Sequence, residues 1–102
     1  MRIVVLFNLR PGVDPEVYES WARGTDSPKV NGLASIKGFS VLALTGMLMG
    51  DGAPPFQYAE VIDIADMEQF GRDVATPAMQ VIASAFQAFA DNPLFITTRE
   101  VA

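Results

Sequence analysis

Four side chains with different chemistry fall close together near the first third of this chain: Tyr18, Trp21, Asp26 and Lys29. An indole and a phenol offer flat apolar faces with one polar atom each. A carboxyl can accept or give a proton, and an ammonium can neutralise an anion forming on a bound molecule. Together they suit an aromatic ligand on which a proton is moved. Asp26 also has a purely local reading, because an aspartate ahead of Ser27-Pro28 can close a turn by accepting from nearby backbone amides. Lys29 reads first as a solvated loop lysine, with the ligand role as the alternative.

Two further polar residues interrupt apolar runs. Asn8 sits in "MRIVVLFNL" and Glu60 in "YAEVIDI". A polar group on a central strand has to be paired, so each serves either a ligand or a structural contact. Tyr58 and Glu60 are two residues apart on that strand and therefore share a face. The candidate acid-base groups are thus Asp26 and Tyr58. The candidate ligand-binding residues are Tyr18, Trp21, Lys29, Asn8 and Glu60. Asp51, between two glycines, reads as a turn, since a calcium loop needs several more oxygen donors at fixed spacing.

Residue types exclude much else. With no cysteine and no histidine, the chain cannot form a disulfide, a zinc site built on sulfur or imidazole, a proximal-His haem or a Ser-His-Asp triad. Tyrosine-ligated haem stays open on residue type alone. No metal and no cofactor are expected. The formal charge is −5, and the seven basic residues are scattered singly, leaving no stripe for nucleic acid or an anionic membrane. No stretch reaches the ~18 apolar residues of a spanning helix. The apolar start closes at Asn8 and Arg10 without a small-residue cleavage site, so it reads as a strand. A cytoplasmic protein is expected.

The elements that must position these groups follow from pattern. Residues 2–9 are apolar at odd and even positions, as in a strand covered on both faces. Asp14-Pro15-Glu16 reads as N-cap, N1 and N2 of a helix that Gly24 ends. Residues 35–49 read as a long second strand, residues 49–55 as turn chemistry, and residues 56–64 as a third strand with Phe56, Tyr58, Glu60 and Ile62 on one face. Asp66 with Gln69 resembles a capping box. The helix it opens pauses at Thr76-Pro77 and resumes with Met79, Ile82, Ala83, Phe86 and Phe89 as its apolar stripe. Asp91-Asn92-Pro93 ends it, and residues 94–101 form the last strand. The whole of 1–102 is one α+β domain of ferredoxin-like βαββαβ order, a four-stranded antiparallel sheet with two helices on one face. Hydrophobic residues make up 50% of the chain, more than a small monomer can hide. The free sheet face is therefore expected to pack on its copy in a homodimer, a dimeric α+β barrel.

Several stretches carry a family likeness. They are "IVVLFNLRPGVDPEVYESW", then "DSPKVNGLASIKGFSV" and "YAEVIDIADMEQF". Trp21, Asp26, Pro28, Val30, Ser35-Ile36 and Phe39 are their most specific residues. Over nearly the whole chain the sequence resembles the RedY-like (HapK) family of small dimeric α+β barrel proteins. That resemblance implies a role in secondary metabolism, such as the making of prodiginine-type pigments or other aromatic natural products. It implies a pocket between sheet and helices that binds an aromatic intermediate and promotes proton transfer, condensation or cyclisation. The wider superfamily also holds cofactor-independent monooxygenases, and a non-catalytic carrier fits the same composition. The histidine on which several relatives depend is missing here.

Overall fold

The computed structural model describes residues 1–102. Four strands, β1 (Arg2–Leu9), β2 (Ile36–Ala43), β3 (Tyr58–Ile64) and β4 (Ala90–Thr97), form one antiparallel sheet in the order β2-β3-β1-β4. The helices are α1 (Pro15–Trp21), α2 (Ser27–Asn31), α3 (Met67–Val74) and α4 (Pro77–Phe89), with a π turn over Ala22–Asp26 joining the first two. This is the expected split-βαβ order, with three helical runs over one side of the sheet.

Local chemistry explains the helix starts. Asp14 accepts from the Glu16 amide at 2.9 Å ahead of Pro15. Asp66 accepts from Glu68 and Gln69, and Thr76 from Met79 ahead of Pro77. Each side chain satisfies amides that the first turn leaves without partners. Asp66 is not half of a reciprocal capping box, because the side-chain amide of Gln69 donates to Asp73 instead, at 2.7 Å.

Alternation along β1 turns Ile3, Val5, Phe7 and Leu9 toward the helices. Phe7 is fully buried, stacked on Tyr58 with centroids 5.6 Å apart and edge-on to Phe86 at 5.0 Å. Burying each such side chain contributes roughly 1.5–3 kcal/mol. The opposite face of the sheet is also apolar. Val4 pairs with Val61 and Ile96, and Leu6 with Ala59 and Leu94. Leu42 joins that surface and, like Leu94, is 48% exposed.

Several boundaries differ from the sequence expectation; β3 starts at Tyr58 rather than Phe56, and β4 ends at Thr97 rather than Val101. Gly24 does not end the first helix; the chain stays helical to Asn31. β2 stops at Ala43, paired with Tyr58; one further backbone bond, from the Leu44 amide to the Gln57 carbonyl at 2.8 Å, precedes the segment that holds Gly46, Gly50 and Gly52. β4 starts at Ala90 rather than Leu94. Asn92 takes a positive φ of 43° inside a bulge, so the Asp-Asn-Pro group is absorbed into the strand instead of preceding it.

Candidate functional site: an apolar cavity with two carboxyls

The π turn decides what the first helical run shows to the sheet. Its buried residues are Tyr18, Ala22, Asp26 and Val30, a constant spacing of four. In an unbroken α-helix, at about 100° per residue, Asp26 would lie roughly 80° and Val30 roughly 120° from the direction of Tyr18, with Thr25 and Lys29 inward instead. The wider turn, closed by the Ser27 amide donating to the Ala22 carbonyl, absorbs the difference. Such one-turn insertions occur inside α-helices and often mark functional positions.

Glu60 comes from the sheet. It pairs with Val5 on β1 and Val41 on β2, so it lies on the helix-facing side of a central strand. Asp26 and Glu60 are only 4% and 5% exposed. Both line a cavity of about 280 Å³ whose walls include Val30, Phe39, Met79, Ile82 and Phe86. No protein donor reaches either carboxyl. The Tyr18 hydroxyl, fully buried close by, has no hydrogen-bond partner either.

Burial sets their protonation. Removal from water pushes Asp26 up from 3.8 to about 6. Burial, and then the charge of Asp26, pushes Glu60 from 4.5 up to about 8. Burial first, then Glu60 and Asp26, holds the Tyr18 phenol above its usual range. Near neutral pH the cavity therefore presents one ionised carboxylate, on Asp26, and one protonated carboxyl, on Glu60. Two like groups driven apart by their surroundings are the arrangement that divides base from acid.

Tyr58 stands elsewhere. It shares the strand face with Glu60, but its hydroxyl donates to Glu19 Oε2 at 2.7 Å. Burial, then that bond to Glu19, raises its phenol to about 12. Glu19 also lies 3.6 Å from Arg23. These three, with Ser27 and Val41, line a separate groove of about 450 Å³, and Phe39 borders both spaces. Glu19 is thus the partner that holds Tyr58. Helical spacing could not show this, since the pair joins α1 to β3.

The other expected site residues are dispersed. Trp21 packs on Phe89, with centroids 5.3 Å apart, and against both core clusters without lining the two-carboxyl cavity. Lys29 is exposed and borders no cavity, because the π turn swings it outward. Asn8 lies on the outer sheet face and accepts from the Gln57 amide at 2.9 Å. Asp73 on α3 is half-buried and accepts from Ser35 Oγ at 2.7 Å. The bonds from Ser35 and Gln69 hold its carboxyl below the usual range. They anchor α3, which has no fully buried residue yet sends Phe70 and Val74 to the cavity wall.

The comparisons accord with this architecture. The family model described as "REDY-like protein HapK" matches residues 1–101. Among solved structures, HapK from Hahella chejuensis superposes with a TM-score of 0.72 at 23% identity, over 100% of this chain and 96% of that one. A dimeric ferredoxin-like protein of unknown function from Thermobifida fusca gives 0.70 at 17% identity, over 93% and 85%. SnoaB from Streptomyces nogalater, a cofactor-independent oxygenase solved as a point mutant, gives 0.70 at 19%, over 98% and 93%. At these identities the structural likeness is one of fold. No curated protein matches the sequence. With a family match running almost from end to end over the βαββαβ fold just described, the chain belongs to the REDY-like HapK family.

Proposed function

We propose that this is a cofactor-independent, cytoplasmic protein of secondary metabolism. It encloses an aromatic intermediate between sheet and helices and promotes proton transfer, condensation or cyclisation on it. One observation carries the reading: two carboxyls, each more than nine-tenths buried and without a protein partner, face one apolar cavity. Asp26, ionised, takes a proton from the bound molecule. Glu60, protonated, returns one to an oxygen or nitrogen that gains electron density, so the negative charge passes from Asp26 to Glu60. Enclosure among aromatic and aliphatic walls holds the reacting atoms in place and keeps competing water out. Family membership supports the biosynthetic setting.

The test starts with aromatic aldehydes, pyrroles, indoles and phenols screened for saturable quenching of Trp21, which packs against cavity-lining residues. Ligands that bind are then followed for product. Asp26→Asn and Glu60→Gln each abolish turnover while folding stays cooperative; unchanged turnover in both removes the carboxyls from the mechanism. Saturable quenching with no product from any ligand identifies a carrier.

A second reading, a cofactor-independent monooxygenase, is favoured by the fold likeness to SnoaB. Oxygen uptake on mixing with an oxidisable ligand in metal-free buffer separates it from a cyclase.

The assembly proposed is a homodimer with the two sheets face to face. The apolar outer surface of Val4, Leu6, Leu42, Leu94 and Ile96 supports it, since large apolar patches on soluble proteins mark interaction sites. Light scattering then gives twice the 11.0 kDa chain mass, and a monomer at micromolar concentration refutes it.

A further inference from the structure

We infer that the cavity selects aromatic ligands bearing a protonated nitrogen and turns away carboxylates. The inference rests on the proposed reading of this cavity as a ligand site and names the ligand's charge. None of the chain's seven basic residues lines the cavity. Its wall nonetheless contains Asp26 and Glu60, both without a donor from the protein, and the buried Tyr18 hydroxyl nearby is also unpartnered. Acceptors left without donors in an apolar space are costly, and a ligand that brings N–H groups removes that cost.

A metal ion fits less well than an organic cation. Asp26 and Glu60 are the only acidic side chains in the lining, and no group of three or more His, Cys, Asp or Glu residues is placed to hold an ion. Apart from Gln80 and Gln87 the remaining walls are apolar, which suits a ring attached to the charged nitrogen. An anion would meet the charge on Asp26 with no cation to offset it. The cavity's ionisable neighbours are Tyr18 from α1, Asp26 from the π turn and Glu60 from β3; α2, α3 and α4 present none to it.

The experiment compares three near-isosteres at pH 7: 2-naphthylmethylammonium, 2-naphthylmethanol and 2-naphthoate. Calorimetric titration gives affinities, and amide shifts at Val30, Phe39 and Ile62 locate binding. The ammonium binds at least about tenfold more tightly than the alcohol, as a charge-assisted hydrogen bond exceeds a neutral one, and the carboxylate binds most weakly. Asp26→Asn combined with Glu60→Gln brings the ammonium to the affinity of the alcohol, in a protein whose amide spectrum shows it folded. Should the naphthoate or the alcohol bind in the cavity as tightly as the ammonium, the charge preference is wrong while the binding reading stands. If none of the three shifts the cavity amides, both fall.

Discussion

Asp26 and Glu60 reach one apolar cavity from opposite layers of the molecule, the first from a π turn in the helical layer and the second from the central strand β3. Their burial ties stability to pH. Each carboxyl is easier to ionise in the unfolded chain, so stability is fully present below the unfolded values of about 4 and is lost as pH rises through about 6 for Asp26 and about 8 for Glu60. Asp73 works in the other direction, its contribution lost as pH falls through its depressed value. The melting temperature is thus expected to decline from pH 5 to pH 9. Glu60→Gln, which cannot ionise, flattens the upper part of that decline and melts higher at pH 9, by an amount on the order of 4 kcal/mol in unfolding free energy. Identical pH curves for the two proteins contradict the burial of Glu60.

Phe7 is the hub of the aromatic core, touching Tyr18, Tyr58 and Phe86. Phe7→Ala leaves a cavity among three rings that cannot collapse together. It costs about 3–5 kcal/mol in denaturant unfolding; a loss below about 1 kcal/mol means the rings repack freely.

Ser35 holds α3 from outside that helix, its hydroxyl and amide both donating to Asp73. Ser35→Ala removes the shorter bond and leaves a half-buried carboxylate less well satisfied. A lower melting temperature is expected, together with faster amide exchange along residues 67–74 than in α4. Uniform acceleration across the whole chain means that α3 is not a separate unit.

Gly71 lies in the exposed middle of α3, with no atom near the position a Cβ would take. Gly71→Ala removes backbone freedom from the unfolded chain without a clash and raises stability by roughly 0.4–1 kcal/mol. A drop in the urea midpoint contradicts this.

Much of the fold was legible because several local signals agreed. Strands such as β1 are apolar on both faces, and Asp14-Pro15, Asp66 and Thr76-Pro77 are caps whose chemistry acts within a few residues. The site was less legible, because it depends on pitch and on contacts distant in sequence. Gly24 looks like a helix end, yet here it lies inside a π turn. That single misreading made Asp26 and Lys29 look like loop neighbours, when one faces the cavity and the other faces water. Glu60 announced itself only as a carboxylate in an apolar strand; which space it entered depended on the sheet partners Val5 and Val41. The strand period puts Tyr58 on the face it shares with Glu60, but its partner Glu19 is 39 residues away, beyond the reach of any local pattern.

The surplus residue in the first helical run has a converse. Excising Gly24 would let Tyr18 through Val30 wind as an ordinary α-helix in which the aspartate, now one place earlier, still points beneath the helix, since about seven residues make two turns. The aim of that carboxyl is therefore a property of backbone winding, indifferent to one missing link. A helix forced straight at full length would instead thread a lysine into the space now held by Val30.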